Sequence, residues 1–357
     1  MKIPIETILE DGVTAPSGEN CQPWRFMFGG SKLSVFNIPE ADFSLYNNKQ
    51  RGSYIAHGAL LENIALSAKK HGYTTTVSLF PEKNNDVHVA DVFFEGGDAS
   101  ESLLYSQIQK RCTNRKDYKE EKLLEREKKE LVHSVDGLGY NTYKIVDDTR
   151  GMKRLGEALA FHEKVLFENK KMHDFFYSHI LWDKKDEEKA GGFFIDTLEF
   201  LPHQRKAVKL FKSWPILSCL NRILKVSTMI SKENGEKYAK GGAFGAIMMS
   251  GTTNEDFVRL GMSMQRLWLT ATGLDIAMHP CNGTLYLMNH LEDSGAGDFS
   301  EKHNRGIRGA YQEIVEQFSF GDKKIGFIFR MGKADPPTAT AKRKVPVVRT
   351  LGLKENT

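Results

Sequence analysis

Two segments far apart in the chain repeat one pattern. Residues 58–68 (GALLENIALSA) and 261–271 (GMSMQRLWLTA) agree in chemical type at most positions. Glycine opens each, Glu62 stands against Gln265, Ile64 against Leu267, and both close on Leu-Ser/Thr-Ala. Each then passes through a glycine into a strand-like run and a proline, 72–81 and 273–280. A recurring helix–strand unit constrains the fold strongly, because each copy has an apolar face that must be covered by something else in the chain. Taken with the loop motifs below, it predicts a duplicated unit within one polypeptide.

The text between the copies fits that expectation. Spacing predicts a short helix over 3–11, strands at 24–28 and 32–38 joined by Gly29 and Gly30, a helix over 53–70, and strands at 74–80 and 87–94. Beyond Asp98 the sequence turns charged and is expected to be helical through Val132, followed by a strand at 140–146 and a helix over 149–169. Phe257, Leu260, Gly261, Met264, Leu267, Trp268 and Ala271 mark a helix over 255–271, with Thr253 and Asp256 as a capping box. Strands are expected at 244–249 and 325–330. Residues 182–240 stand apart, with the basic amphipathic run KAVKLFKSWPILSCLNRILKV broken by Pro215. Such a run suits a membrane surface, a cover over a pocket, or simply a helix with a solvated face. It is taken as an insertion acting as a lid.

Composition narrows the function classes. With 357 residues, 40% hydrophobic and a net charge of +4, the chain can bury a large core and gives no reason to propose nucleic acid. Cys21, Cys112, Cys219 and Cys281 are widely spaced, which fits neither a disulfide framework nor a zinc site. No HExxH, GxSxG, GxGxxG or Walker A pattern occurs, so metal, acyl-transfer and dinucleotide-loop chemistries lack a carrier. Glu6 and Glu10 interrupt the apolar run a signal peptide needs, and no stretch reaches membrane-span length. A cytoplasmic protein without a transmembrane segment is expected.

Four short stretches carry chemistry. The first, APSGENCQPWRF (15–26), is a loop delivered into a strand, offering backbone N–H groups, short polar side chains and one large ring to a planar polar ligand. A plain turn with Trp24 as a core anchor is the alternative. The second, KRCTNRK (110–116), sets Arg111, Thr113 and Arg115 two residues apart, suited to an anion if a helix starts nearby, and otherwise a solvated basic face. The third is Pro280, Cys281, Asn282 and Gly283 after an apolar strand, equally an ordinary turn. The fourth is the basic pair Lys342 and Arg343 in TATAKRKVP.

Together these resemble the nitroreductase-like FMN proteins. Pro16, Ser17, Asn20, Gln22, Pro23 and Trp24 match that family's PSxxNxQPW loop, and Arg111, Thr113 and Arg115 match its R-x-[ST]-x-[KR] element. The resemblance implies that Pro16, Ser17 and Asn20 reach over the flavin, that Arg111 and Thr113 hold its phosphate, and that Arg115 approaches the pyrimidine edge. Pro280, Asn282 and Gly283 resemble the PxEG loop facing flavin N5, with asparagine in place of glutamate. Lys342 and Arg343 resemble the basic pair that closes on the phosphate, Arg343 being placed ahead.

The family's homodimers build each site from two subunits, whereas this chain carries one copy of each motif, in reverse order. The layout resembles the Acg-like branch and implies a fused pseudo-dimer with one flavin site. The expected fold is α+β, nitroreductase-like and internally duplicated, with a central antiparallel-rich sheet flanked by helices. The expected halves are 1–110 and 111–357, with the lid at about 182–240. The implied activity is that of an FMN oxidoreductase taking hydride from NAD(P)H and passing it to a nitroaromatic or quinone by a ping-pong cycle. Flavin N5, and no side chain, would be the catalytic centre, and no metal is implied. The alternative is an FMN-sequestering protein with little turnover. His57 and His279 lie beside these segments and are left unassigned.

Overall fold

A short apolar stripe opens the chain's structure. In this computed structural model, which describes residues 3–100, 102–188, 191–318 and 321–350, helix α1 (Ile5–Gly12) buries Ile8 and Leu9. Strands β1 (Trp24–Gly29) and β2 (Lys32–Asn37) form a hairpin turned at Gly30, whose φ of 62° favours glycine. Helix α2 (Arg51–Lys70), β3 (Tyr73–Leu79) and β4 (His88–Gly96) complete a unit in which β1-β2-β4-β3 is antiparallel throughout.

The second unit has the same plan, interrupted. Helix α3 (Glu125–Asp136) and β5 (Thr142–Val146) are followed by α4 (Thr149–Glu168), α5 (Lys170–Ser178), β6 (Ile180–Leu181), α6 (Lys184–Glu187), β7 (Phe193–Phe194), α7 (Pro202–Phe211), α8 (Trp214–Leu224) and α9 (Val226–Ala239). Only then come β8 (Ala243–Met249), α10 (Asn254–Gly273), β9 (Ala277–Pro280), α11 (Gly283–Ser294), α12 (Glu301–Phe318), β10 (Lys324–Gly332) and β11 (Val348–Thr350).

The second sheet runs β5-β8-β10-β9, again antiparallel throughout. Element for element, β1, β2, α2, β3 and β4 correspond to β5, β8, α10, β9 and β10. The two-residue turn of the first hairpin is replaced by residues 147–242, which contain the 182–240 region. All seven residues of β8 are buried, because Phe244, Ala246 and Met248 face the core under α4 while Ala243, Ile247 and Met249 face that under α10.

The copies meet along α2 and α10. A Cβ on Gly58 would lie 2.8 Å from Gly261 Cα, and one on Gly261 would lie 2.0 Å from Ile55 O, so the helices touch backbone to backbone. Further along, Gln265 Nε2 donates to Asn63 Oδ1 at 2.8 Å and Arg266 Nε donates to Glu62 Oε1 at 2.7 Å. Since 62 corresponds to 265 and 63 to 266, exchanging the copies maps one contact onto the other, the pattern of an isologous interface.

Residues 98–100 and 102–124 depart from the expected helix. Apart from a 3-10 turn at Tyr105–Gln107 they are irregular, and α3 starts only at Glu125. Arg111–Arg115 therefore lie on irregular backbone and not at a helix start. Lysine and glutamate there supply helix propensity without the apolar stripe that tertiary packing needs. Beyond β10 the chain crosses back to the first unit, where β11 pairs parallel with β1 and makes that sheet five-stranded. Among the described residues, no helix is long and apolar enough to cross a membrane.

Candidate anion-binding site between the repeats

The loop before β1 is held in an uncommon backbone conformation. Glu19, Asn20 and Gln22 have φ of 44°, 58° and 53°, the left-handed region that non-glycine residues rarely occupy. Such a conformation persists only where its surroundings enforce it. Gln22 N–H donates to Ser17 Oγ at 3.0 Å, and Gln22 Nε2 donates to Asn20 O at 3.1 Å. The C-terminal tail pins the loop from outside. Asn20 Nδ2 donates to Lys342 O at 3.0 Å, and Lys344 N–H donates to Gln22 Oε1 at 2.8 Å.

Two guanidinium groups converge beneath this loop. Arg111 Nη2 donates to Thr14 O at 3.0 Å, and Arg343 Nη2 reaches the same carbonyl at 3.4 Å. Arg111 also stacks on the Trp268 indole, 4.6 Å from its centroid, and is buried. Among the described residues neither arginine pairs with a carboxylate, and Arg111 Nε, Arg343 Nε and Asn20 Oδ1 are buried without a partner. Burial, and then the Arg343 charge, pulls Arg111 down to about 9, while burial brings Arg343 to about 10. Two cations, one buried and one half-buried, sharing one neutral carbonyl are electrostatically incomplete, and a phosphate-like dianion is the complementary ligand.

Arg115 extends the site toward the second unit. Its Nη1 donates to Thr197 O at 3.1 Å and its guanidinium lies over the Phe193 ring, so the segment between β5 and β8 covers it. Nearby, Asn114 N–H donates to Met278 O at 3.0 Å and joins this segment to β9. Pro280 ends β9, and Asn282 is locked to β10: its Oδ1 accepts Ile328 N–H at 2.7 Å and its Nδ2 donates to Ile328 O at 3.2 Å. Its side chain is committed to holding the turn. A Cβ on Gly283 would lie 2.2 Å from the His162 ring, so His162 of α4 packs flat against this loop.

Several lining groups have no place in the sequence motifs. Glu19 is half-buried at the left-handed turn, and burial together with the Asp42 carboxylate pushes it up to about 8, against the pull of Arg115. Its charge also acts on Tyr46 and Tyr286. Tyr238 of α9 donates to Glu163 Oε1 at 2.6 Å, and burial raises that carboxyl. Arg330 is fully buried over the Tyr118 ring at 4.0 Å, donating to Lys237 O at 3.0 Å and Lys116 O at 2.9 Å. His279 is driven well below its ordinary value by burial, then by Arg330 and Arg115, and stands as a neutral ring. The groups beside Arg115 thus combine raised carboxyls and a neutral histidine with the Arg330 guanidinium.

Sequence-derived candidates divide accordingly. Arg111 and Arg343 come together on Thr14 O, and Asn20 bonds the carbonyl of Lys342 next to Arg343. Ser17 and Asn282 act within their own turns. Pro16 and Thr113 are half-buried in the two irregular segments, and the Lys342 side chain is exposed with only its carbonyl at the loop. His57 is buried and hydrogen-bonded to Ser53 O, a satisfied core histidine. Among the described residues, no group of three or more His, Cys, Asp or Glu is placed to hold a metal ion.

An expected titration follows from Glu19. A carboxyl raised in the folded state keeps its proton while the unfolded chain has lost it, so its contribution to stability falls as pH rises from about 4.5 through 8. Glu19→Gln removes that loss. The melting-temperature advantage of the variant over the parent should be larger at about pH 8 than at about pH 5, and an equal difference at both would place the carboxyl in an ordinary, solvated setting.

No family model matches the sequence. The chain is similar to an uncharacterised protein of Mycobacterium tuberculosis, 24% identical over 344 residues, which are 95% of this chain and 47% of that one. It is also similar to a M. tuberculosis protein named provisionally as an NAD(P)H nitroreductase, 26% identical over 116 residues, 32% of this chain and 34% of the other. It thus spans about half the length of the first of these curated relatives and matches about a third of the second. Among solved structures, a nitroreductase with bound FMN from Bacteroides fragilis aligns over 72% of this chain and 98% of its own, with 12% identity and a TM-score of 0.35.

Proposed function

We propose that this chain, a relative of the nitroreductase-like proteins with that α+β fold duplicated internally, binds FMN between its repeats and acts as an FMN-dependent oxidoreductase. The observation that carries the reading is the meeting of the buried Arg111 and the half-buried Arg343 on Thr14 O, neither with a carboxylate among the described residues. In this reading 1–110 and 111–357 are the two halves of a pseudo-dimer, and residues of about 182–240 form its lid. Subunits need not pair to complete the site.

Each side chain then has a role. Arg111 and Arg343 take the phosphate, with Thr113 beside them, and their partnerless Nε atoms supply the donors a dianion requires. Pro16, Ser17 and Asn20 form the roof over the ring system, and Asn20 Oδ1 is a free acceptor there. Arg115 is the cation for the pyrimidine edge, once it exchanges Thr197 O for the ligand. Pro280, Asn282 and Gly283 present backbone along the opposite edge. When bound, the flavin supplies the redox chemistry, accepting hydride from NAD(P)H at N5 and giving it to a small nitroaromatic or quinone acceptor. The surrounding neutral tyrosines and histidine exclude water without adding charge.

One feature favours a second reading, flavin sequestration with little turnover. His162 packs against Gly283, and Phe193 and Thr197 cap Arg115, so donor and acceptor must displace insertion residues to reach the site. Anaerobic mixing of the flavin-loaded protein with NADPH or NADH decides between them. Prompt bleaching of the visible flavin bands is the expected result and identifies the donor. Bands that persist support sequestration, and a protein that neither purifies with nor takes up FMN overturns both.

A further inference from the structure

The segment between β5 and β8 presents an outer surface that its covering role does not require. Helix α8 turns Trp214, Leu217 and Asn221 inward. Leu217 is fully buried, and Asn221 Nδ2 donates to Phe167 O at 2.7 Å. At i, i+3 and i+7 from Ile216, on the other side of the helix, lie Cys219 and Ile223, all exposed. A helix that merely covers a pocket solvates that side with polar groups. Here Ile223 is 69% exposed, and Leu210, Leu224 and Met229 of the adjoining helix ends are exposed as well.

Charge is concentrated on the same segment. Residues 202–240 hold nine lysines and arginines and two glutamates, so they exceed the net charge of +4 of the whole chain and the remainder is net acidic. Lys206, Lys209, Arg222 and Lys225 rim the apolar side chains, are exposed, and pair with no carboxylate among the described residues. Exposed apolar side chains ringed by unpaired cations match the boundary between acyl chains and anionic headgroups, where each element meets its complement. A protein partner would need an equally extended acidic and apolar counterface, whereas a bilayer supplies both layers at the required depth.

We propose that the outer face of α7–α9 docks on an anionic phospholipid membrane, lying in the interface without spanning it. The proposal rests on this surface and not on the flavin reading, so it stands or falls separately.

The test uses the full chain with vesicles of phosphatidylcholine alone and of phosphatidylcholine mixed with phosphatidylglycerol. Cys219, exposed on the docking face while Cys21 and Cys281 are buried, carries an environment-sensitive fluorophore in a chain whose half-buried Cys112 is replaced by serine. Sedimentation with the anionic vesicles, a blue-shifted emission from Cys219, and weakening by salt are expected. Replacing Lys206, Lys209, Arg222 and Lys225 by glutamine should lower the partition coefficient about a hundredfold or more. Ile216→Ser with Ile223→Ser should lower it about tenfold. All six positions are exposed, and unchanged melting temperatures establish that the variants fold. Equal binding to both vesicle types, no binding, or binding indifferent to these substitutions overturns the proposal. So does a dimer that Ile223→Asp dissolves in a chain that ignores vesicles, which would assign the face to a second copy.

Discussion

Arg111→Met should lower FMN affinity about a hundredfold while leaving the flavin-free protein at least as stable as the parent. The first effect follows from losing a buried, charged donor, about 1.5–3 kcal/mol per hydrogen bond to an ionised partner. The second follows from what the guanidinium does when no anion is present: burial, and then the charge of Arg343, pulls it down to about 9. Methionine keeps apolar contact with Trp268 and removes the charge. The pH dependence has a definite sign. Above about pH 9 the unfolded chain still holds the proton that the folded chain has released, so flavin-free stability rises with pH from there toward the ordinary arginine range. Inorganic phosphate, which needs the charged form, should raise the melting temperature below about pH 9 and lose that effect above it. Flavin titration by fluorescence quenching and calorimetry of the flavin-free protein measure the two halves of this prediction. A variant that keeps its flavin, or that melts several degrees lower without it, contradicts it.

Gly261→Ala should cost about 3–5 kcal/mol or prevent folding, far more than one methyl group ordinarily does. The added carbon would lie 2.0 Å from Ile55 O, a backbone atom that cannot turn aside. Gly58→Ala should behave alike, because its carbon would lie 1.9 Å from Val258 O at the same crossing. Once either alanine has forced α2 and α10 apart, the second meets a gap already opened, so the double variant should cost clearly less than the two singles combined. Gly309→Ala in α12, with no atom within 4 Å of the added carbon, should be neutral or stabilising. Chemical denaturation of the four variants measures this, and ordinary stability in Gly261→Ala would mean the helices are not in backbone contact.

The sequence conveyed the two similar helices well, and their crossing not at all. Gly58 and Gly261 stand at matching positions of a legible repeat, but which helix faces them is decided by the fold, whereas the Thr253–Asp256 box announces α10 at its first residue. The first hairpin was legible because Gly30 and Ser31 alone separate its strands. Its counterpart was not, since β5 and β8 pair across residues 147–242, and periodicity reports a strand's faces but never its distant partner. At the site, Arg111, Arg343 and Asn20 could be named from charge and motif. The Thr14 carbonyl on which the arginines meet could not, because every residue has one. Glu19 occupies a variable position of its loop motif, and only the fold brings Asp42 close enough to matter. The 98–124 stretch misled because lysine and glutamate favour helix locally while nothing there supplies a face to bury.

The segment that carries Arg343 and leads into β11 also fixes when the proposed site comes into being. Ribosomes deliver the chain from its N-terminus, and the first repeat is available to fold long before residues 342–350 are made. Until they emerge, the loop at 16–22 lacks Lys342 O and Lys344 N–H, β1 is an unpaired edge, and Arg111 stands without its second cation. A chain that stops before residue 342 therefore holds both repeats but only one of the two cations of the proposed anion site, so a ligand's charge would find its second partner only after translation has passed Arg343.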